Sequence, residues 1–269
     1  PYFDGRLDDF RIYNYALPPS EITNLYNATR PRHFTWDASV EIGYQSDTGT
    51  WGINNYWSPD GFALMPWGGA GNTATFTGIP RTVTVDGTQG VDSLSILRNY
   101  TLNSGTLDFG TKNAIFTNTE VITTINSVIT GSNGIKKYGT GQLNLSAHNT
   151  FTGVFTIYEG KVVLIHANAL GNTSDGTIVE SGASLIPKGI ITFAPEQLTI
   201  NGNGIQHPGA LRTGGNDTID NVTWQGKVTL GSNSAIGAIE SIDQFNMNGI
   251  IEGPFQLTIA GAGITVLSG

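Results

Sequence analysis

The chain has 269 residues, a net charge of −8 and a pI near 4.8, with 36 Gly, 11 Pro, no Cys and 13% charged residues. So few Lys and Arg argue against a nucleic-acid or anionic-membrane partner, because phosphate binding needs clustered cations. No apolar run approaches the ~18 residues of a membrane-spanning helix, and the lack of Cys removes thiol catalysis, thiolate zinc sites and disulfides. Thr occurs 33 times and Asn 23 times against 6 Lys, a balance poor in helix formers and rich in strand and turn residues. The expected class is all-β. The first residue is Pro1 and the sequence stops in a strand-like run, Ile264–Leu267, so the chain reads as a piece of a longer polypeptide.

Residues 1–30 form a first zone. Arg6 to Tyr13 alternates as a strand does, with Leu7, Phe10 and Ile12 as its apolar members. Pro18 to Tyr26 is the one predicted helix: Pro19 suits the first helical position, and Ile22, Leu25 and Tyr26 recur at helical spacing. Asp8 and Asp9 are adjacent carboxylates whose side chains point to opposite faces of a strand, which hinders sharing one ion. No cofactor is expected; calcium ligation by one of them with backbone carbonyls is the alternative to the plainer reading, a capped loop or an ion pair with Arg6 or Arg11. Phe3 to Leu17, followed by Glu21-Ile22 and Leu25-Tyr26, resembles the closing strand and helix of laminin-G/concanavalin-like jelly-roll domains. A jelly-roll strand without its sandwich exposes an edge, so Phe10, Ile12 and Tyr13 are expected to join subunits or dock on the rest of the chain; the alternative is that the jelly-roll continues upstream.

Residues 31–80 carry Trp36, Trp51, Trp57 and Trp67, four of the five tryptophans, in a Gly-rich stretch. Trp51, Trp57 and Trp67 are candidate glycan-stacking residues. The competing reading is that these large rings are buried as a cap.

From residue 81 to 269, short apolar runs alternate with Gly, Asn and Ser turns. Ile135, Ile157, Ile178, Ile200 and Val222 are 22, 21, 22 and 22 residues apart, and Leu143, Val163 and Leu185 are 20 and 22 apart. A coil that returns each strand to the same side after one circuit produces such a steady interval. The expectation is a right-handed parallel β-helix (a solenoid) of roughly 20–22-residue coils with an aromatic-rich N-terminal cap, one short helix, and these isoleucines and valines stacked in one column. No catalytic constellation is visible. His33, His148, His166 and His207 are isolated, no Gly-x-Ser-x-Gly occurs, and Gly214 to Asp220 is a weak match to calcium-binding Gly/Asp repeats.

Gly134 to Gly153, with Tyr158 to Leu164, Ala167 to Gly171 and Ser181 to Leu185 following in order, resembles the autotransporter-associated β-strand repeat. Thr35-Trp36-Asp37, Thr50-Trp51 and Tyr56-Trp57-Ser58 are similar to the lead-in of such repeats. Gly261 to Gly269 repeats Gly139 to Ala147. The resemblance implies a secreted or surface-attached bacterial location. The expected function is a non-enzymatic structural protein, a rod serving as fibre, stalk or self-associating scaffold. The alternative is a glycan-binding adhesin with the rod as spacer; a polysaccharide-degrading enzyme is the least favoured. Self-association and surface glycans are the expected partners.

Overall fold

In this computed structural model residues 13–19, 21–22, 32–112, 114–215 and 218–269 are described. The chain coils into about nine stacked turns. One side is a ladder of His33–Trp36, Thr73–Phe76, Ser93–Ile96, Ala114–Asn118, Ile135–Tyr138, Phe155–Ile157, Thr177–Val179, Leu198–Gly202, Val228–Ala238 and Ile251–Glu252, each parallel to the next. A second side runs from Gly49–Trp51 through Thr82–Val85, Thr101–Asn103, Ile122–Ile125, Gln142–Leu145, Gly160–Leu164, Ala183–Pro187 and Leu211–Thr213 to Leu257–Ala260. Backbone N–H and C=O groups of a coil are thereby satisfied by the coils above and below it.

The third side is interrupted. It holds Thr88–Gly90, Thr106–Asp108 and Val128–Thr130, and later Ile190–Phe193, Asn221–Trp224, Gln244–Met247 and Ile264–Leu267. Between these two sets a side chain stands in for the ladder. Asn149 is 2% exposed, accepts from Ile129 N at 2.8 Å and donates to Ala169 O at 2.7 Å, so one amide links three coils.

The core lies inside the coils. Phe34, Ala74, Leu94, Phe116, Lys137, Ile157, Val179, Ile200 and Leu230 are successive register partners, and all are buried. The expected single column of isoleucines is corrected by this register. Ile135 stacks on Phe155, while Ile157 stacks on Lys137, two positions further along the strand. Ile178 lies between Thr156 and Thr199 at an alternate position and is half-buried, and Val222 sits on the third side against Ile191 and Phe245. The reason is the strand period of two, which offers two inward positions per short strand. A one-residue change in coil length then moves an isoleucine from inside to outside. Similarly, Gln142–Leu145 is on the second side and its sequence repeat Ile264–Leu267 is on the third.

The N-terminal edge is closed. Trp57–Ser58 pairs antiparallel with Thr35 and Trp36, covering the free edge of the first strand. The parallel ladder therefore begins at His33, upstream of the compositional boundary at residue 81. At the predicted helix, Ile22 N donates to Pro18 O at 3.1 Å and Pro19, Glu21 and Ile22 are helical. The remainder of that segment, and the strand read over Arg6 to Ile12, lie outside the described residues.

Candidate functional site

The tryptophans of the lead-in form a packed cap. Trp51 and Trp57 are 0% exposed, with ring centroids 4.9 Å apart. Trp36 meets Trp57 edge-on at 5.2 Å, and Trp67 lies 4.6 Å from Trp57 and 5.1 Å from Trp51. Phe76 of the next coil closes the cluster at 5.5 Å from Trp57. A sugar therefore has no ring face to stack on at Trp51 or Trp57. Trp67 is half-buried, and its indole Nε1 donates to Gly90 O at 2.8 Å, which ties the cap to the first strand of the third side.

Asp8, Asp9, Phe10 and Ile12 lie outside the described residues. Tyr13 is half-buried and meets Tyr15 edge-on at 6.0 Å. In the Gly214 to Asp220 segment, Asn216 and Asp217 are outside the described residues. The Asp220 carboxylate accepts from Gly189 N at 2.6 Å and Gly214 N at 3.1 Å, so both its oxygens serve the backbone. Among the described residues no group of three or more His, Asp or Glu converges on a common point. Two histidines that are isolated in sequence do meet: the His148 and His166 rings stack at 5.6 Å, one coil apart, as the Tyr138 and Tyr158 rings do at 4.7 Å.

The concave feature of the flank is one that sequence reading missed. Between the first and second sides the four coils from Ala114 to Pro187 use two or three residues, such as 158–159 or 139–141, but the next coil uses 203–210. This longer loop folds back over the outer face of the second side. Ile205 N donates to Ser184 Oγ at 3.0 Å, and Ser184 Oγ donates to Gly209 O at 2.9 Å. Gln206 Oε1 accepts from Lys161 Nζ at 2.8 Å. Ser184 and Arg212, at outward positions of the second side, are buried against it.

Beside the loop is an open groove of about 380 Å³, lined by Glu120, Ile122, Thr140, Gln142, Lys161, Ile205 and Gln206 among others. Burial lowers the Lys161 pKa from its usual value, and the neighbouring Arg212 guanidinium lowers it further. Arg212 is itself pushed down to about 10 by burial. Glu120 is the one carboxylate in the lining, so the paired carboxylates of glycoside hydrolysis are not assembled there. The available signal was the interval from Leu185 to Leu211, register partners 26 residues apart where the two preceding coils use 19 and 23.

No protein-family model matches the chain, and no solved structure matches it. Among curated proteins, the chain is similar to a protein described as "Adhesin BmaC autotransporter" from Brucella suis biovar 1 (strain 1330), at 30% identity over 220 residues. The similarity covers 75% of this chain but only 6% of that relative's length. The chain is a β-solenoid with a sequence relative among autotransporter adhesins.

Proposed function

We propose that the chain is a non-catalytic β-solenoid section of a bacterial surface protein, acting as a rod within a fibre, stalk or self-associating scaffold. The supporting observation is the parallel ladder that continues from His33–Trp36 to Ile251–Glu252 through every intervening coil. Stacked coils give stiffness along the axis because each contributes a nearest-neighbour interface. The sequence relative, described as an autotransporter adhesin, supports a secreted or surface location. On this reading residues 1–30 belong to the closing strand and helix of a jelly-roll and contribute to assembly.

Negative-stain imaging of the purified chain tests the proposal. Rods roughly 40 Å long, from about nine coils spaced ~4.8 Å apart, or end-to-end polymers of them, are expected. Globular particles would overturn it. Deleting residues 1–30 is expected to shorten polymers without shortening the individual rod.

A second reading, a glycan-binding adhesin with the rod as spacer, is favoured by the relative's description as an adhesin. It is distinguished by glycan-dependent attachment of particles coated with the chain.

A further inference from the structure

We infer that the groove beside the 203–210 loop binds an acidic saccharide, with Lys161 holding its carboxylate. The inference deepens the second reading above but stands apart from the scaffold reading, because it concerns the flank of the rod and not its assembly.

Three independent features converge on the groove. The first is backbone strain. Only Ser104, Glu120 and Gln206 have positive φ among the described non-glycine residues, and two of these, Glu120 at 57° and Gln206 at 66°, line this groove. Such a conformation is costly for a non-glycine residue and is retained where surrounding structure or function requires it.

The second is charge. Lys161 has no carboxylate within ion-pair distance among the described residues, and its side-chain partner is the neutral carbonyl of Gln206. Arg212 lies near enough to disfavour its charge further, and Arg212 Nε is buried without a partner. A half-buried and a buried cation thus lie together with no carboxylate in ion-pair contact among the described residues. An anionic group on Lys161 relieves this arrangement and replaces Gln206 Oε1 as the acceptor.

The third is the remaining lining. Thr140, Gln142 and Gln206 supply hydroxyl and amide groups, and Glu120 supplies an acceptor for hydroxyl donors. Ile122, 48% exposed, and the half-buried Ile205 offer aliphatic surface to the C–H face of a ring. The volume falls within the range of small-ligand sites. Glu120 repels a uniform polyanion, which favours a ligand carrying many hydroxyls and a single carboxylate. An extended peptide added as a strand is disfavoured, because Gln142–Leu145 is paired on both edges, with Ile122–Ile125 and Gly160–Leu164.

The test titrates the purified chain with a disaccharide of glucuronic acid and N-acetylglucosamine and, separately, with its methyl ester, followed by amide chemical shifts. The acid is expected to bind at least about tenfold more tightly than the ester, a difference of ~1.4 kcal/mol. Shifts should centre on Gln142, Lys161 and Gln206. Lys161→Gln is expected to abolish the preference for acid over ester, and Lys161→Arg to retain most of it. Lys227→Gln, which removes the exposed ion pair with Glu252, should change nothing. Thermal melts of each variant confirm folding. Equal affinity for acid and ester, an unchanged preference in Lys161→Gln, tighter binding of inorganic polyphosphate than of the acid, or no shift at about 20 mM ligand would each overturn the inference. None of these results bears on whether the chain forms rods.

Discussion

Lys137 Nζ donates a 2.9 Å hydrogen bond to the backbone carbonyl of Glu159 in the following coil. It also donates to Gly139 O and, at 3.4 Å, to Tyr138 O, so three carbonyls surround a cation that stands in the inward column between Phe116 and Ile157. The side chain is 0% exposed, and burial lowers its pKa to about 8, with the Glu159 charge acting in the opposite direction.

This arrangement predicts a pH dependence. Between pH 8 and 10.5 the unfolded chain holds a proton that the folded chain has released, so stability rises with pH across that window. The gain is on the order of 3 kcal/mol. Lys137→Met removes the dependence but leaves the three carbonyls without their donor, which costs about 1–3 kcal/mol at pH 7. Chemical denaturation of both proteins from pH 7 to 10.5 checks both effects.

Glu196 has the opposite sign. It is 3% exposed, accepts from Thr177 Oγ1 at 2.8 Å, and burial raises its pKa to about 7. Between pH 4.5 and 7 the folded chain holds the extra proton, so stability falls as pH rises through that window. Glu196→Gln keeps an acceptor for Thr177 and removes the charge. It is expected to stabilise the chain at pH 7.5 by about 2–3 kcal/mol and to flatten the curve below pH 7, as read by denaturation midpoints.

The cap is a further point of test. Trp57→Ala removes a 0% exposed ring at the centre of the aromatic cluster and weakens the strand that closes the first edge. A loss of about 3–5 kcal/mol is expected, together with concentration-dependent association as the edge opens. Trp57→Phe should cost much less, because Trp57 Nε1 has no hydrogen-bond partner to lose. Sedimentation velocity alongside thermal melts measures both quantities.

Coil spacing can be probed at Gly226, where a Cβ would lie 1.6 Å from Glu196 O in the adjacent coil. Gly226→Ala must push two coils apart or break a ladder bond, since the obstacle is backbone and cannot rotate away. The expected loss is about 2–3 kcal/mol. Hydrogen exchange should rise first at Leu198–Gly202 and Val228–Leu230, the paired strands flanking that contact.

The aromatic cluster shows how far residue type alone reaches. Four tryptophans in a Gly-rich stretch require burial somewhere, and the cap reading follows from that; which rings retain surface does not. Trp67 stays half-buried while Trp51 and Trp57 are enclosed, because the latter are in strands or pairs that face inward and Trp67 is in the connecting segment. Lys136 and Lys137 make the same point at one dipeptide. Alternation turns Lys137 to the same side as Ile135, and only the register decides that Phe116 and Ile157 are its neighbours.

A stacked parallel coil was legible in the recurrence of short apolar runs every 20 to 22 residues, because every circuit must bring an apolar strand back to the same side. The phase of the columns, the interruption of the third side and the groove were not. Glu120, Gln142, Lys161 and Gln206 are brought together from four different coils, spread over 86 residues of sequence. Local patterning reports which residues alternate within a strand. Their neighbours along the axis depend on the length of each circuit, and that is set by how every corner and loop packs.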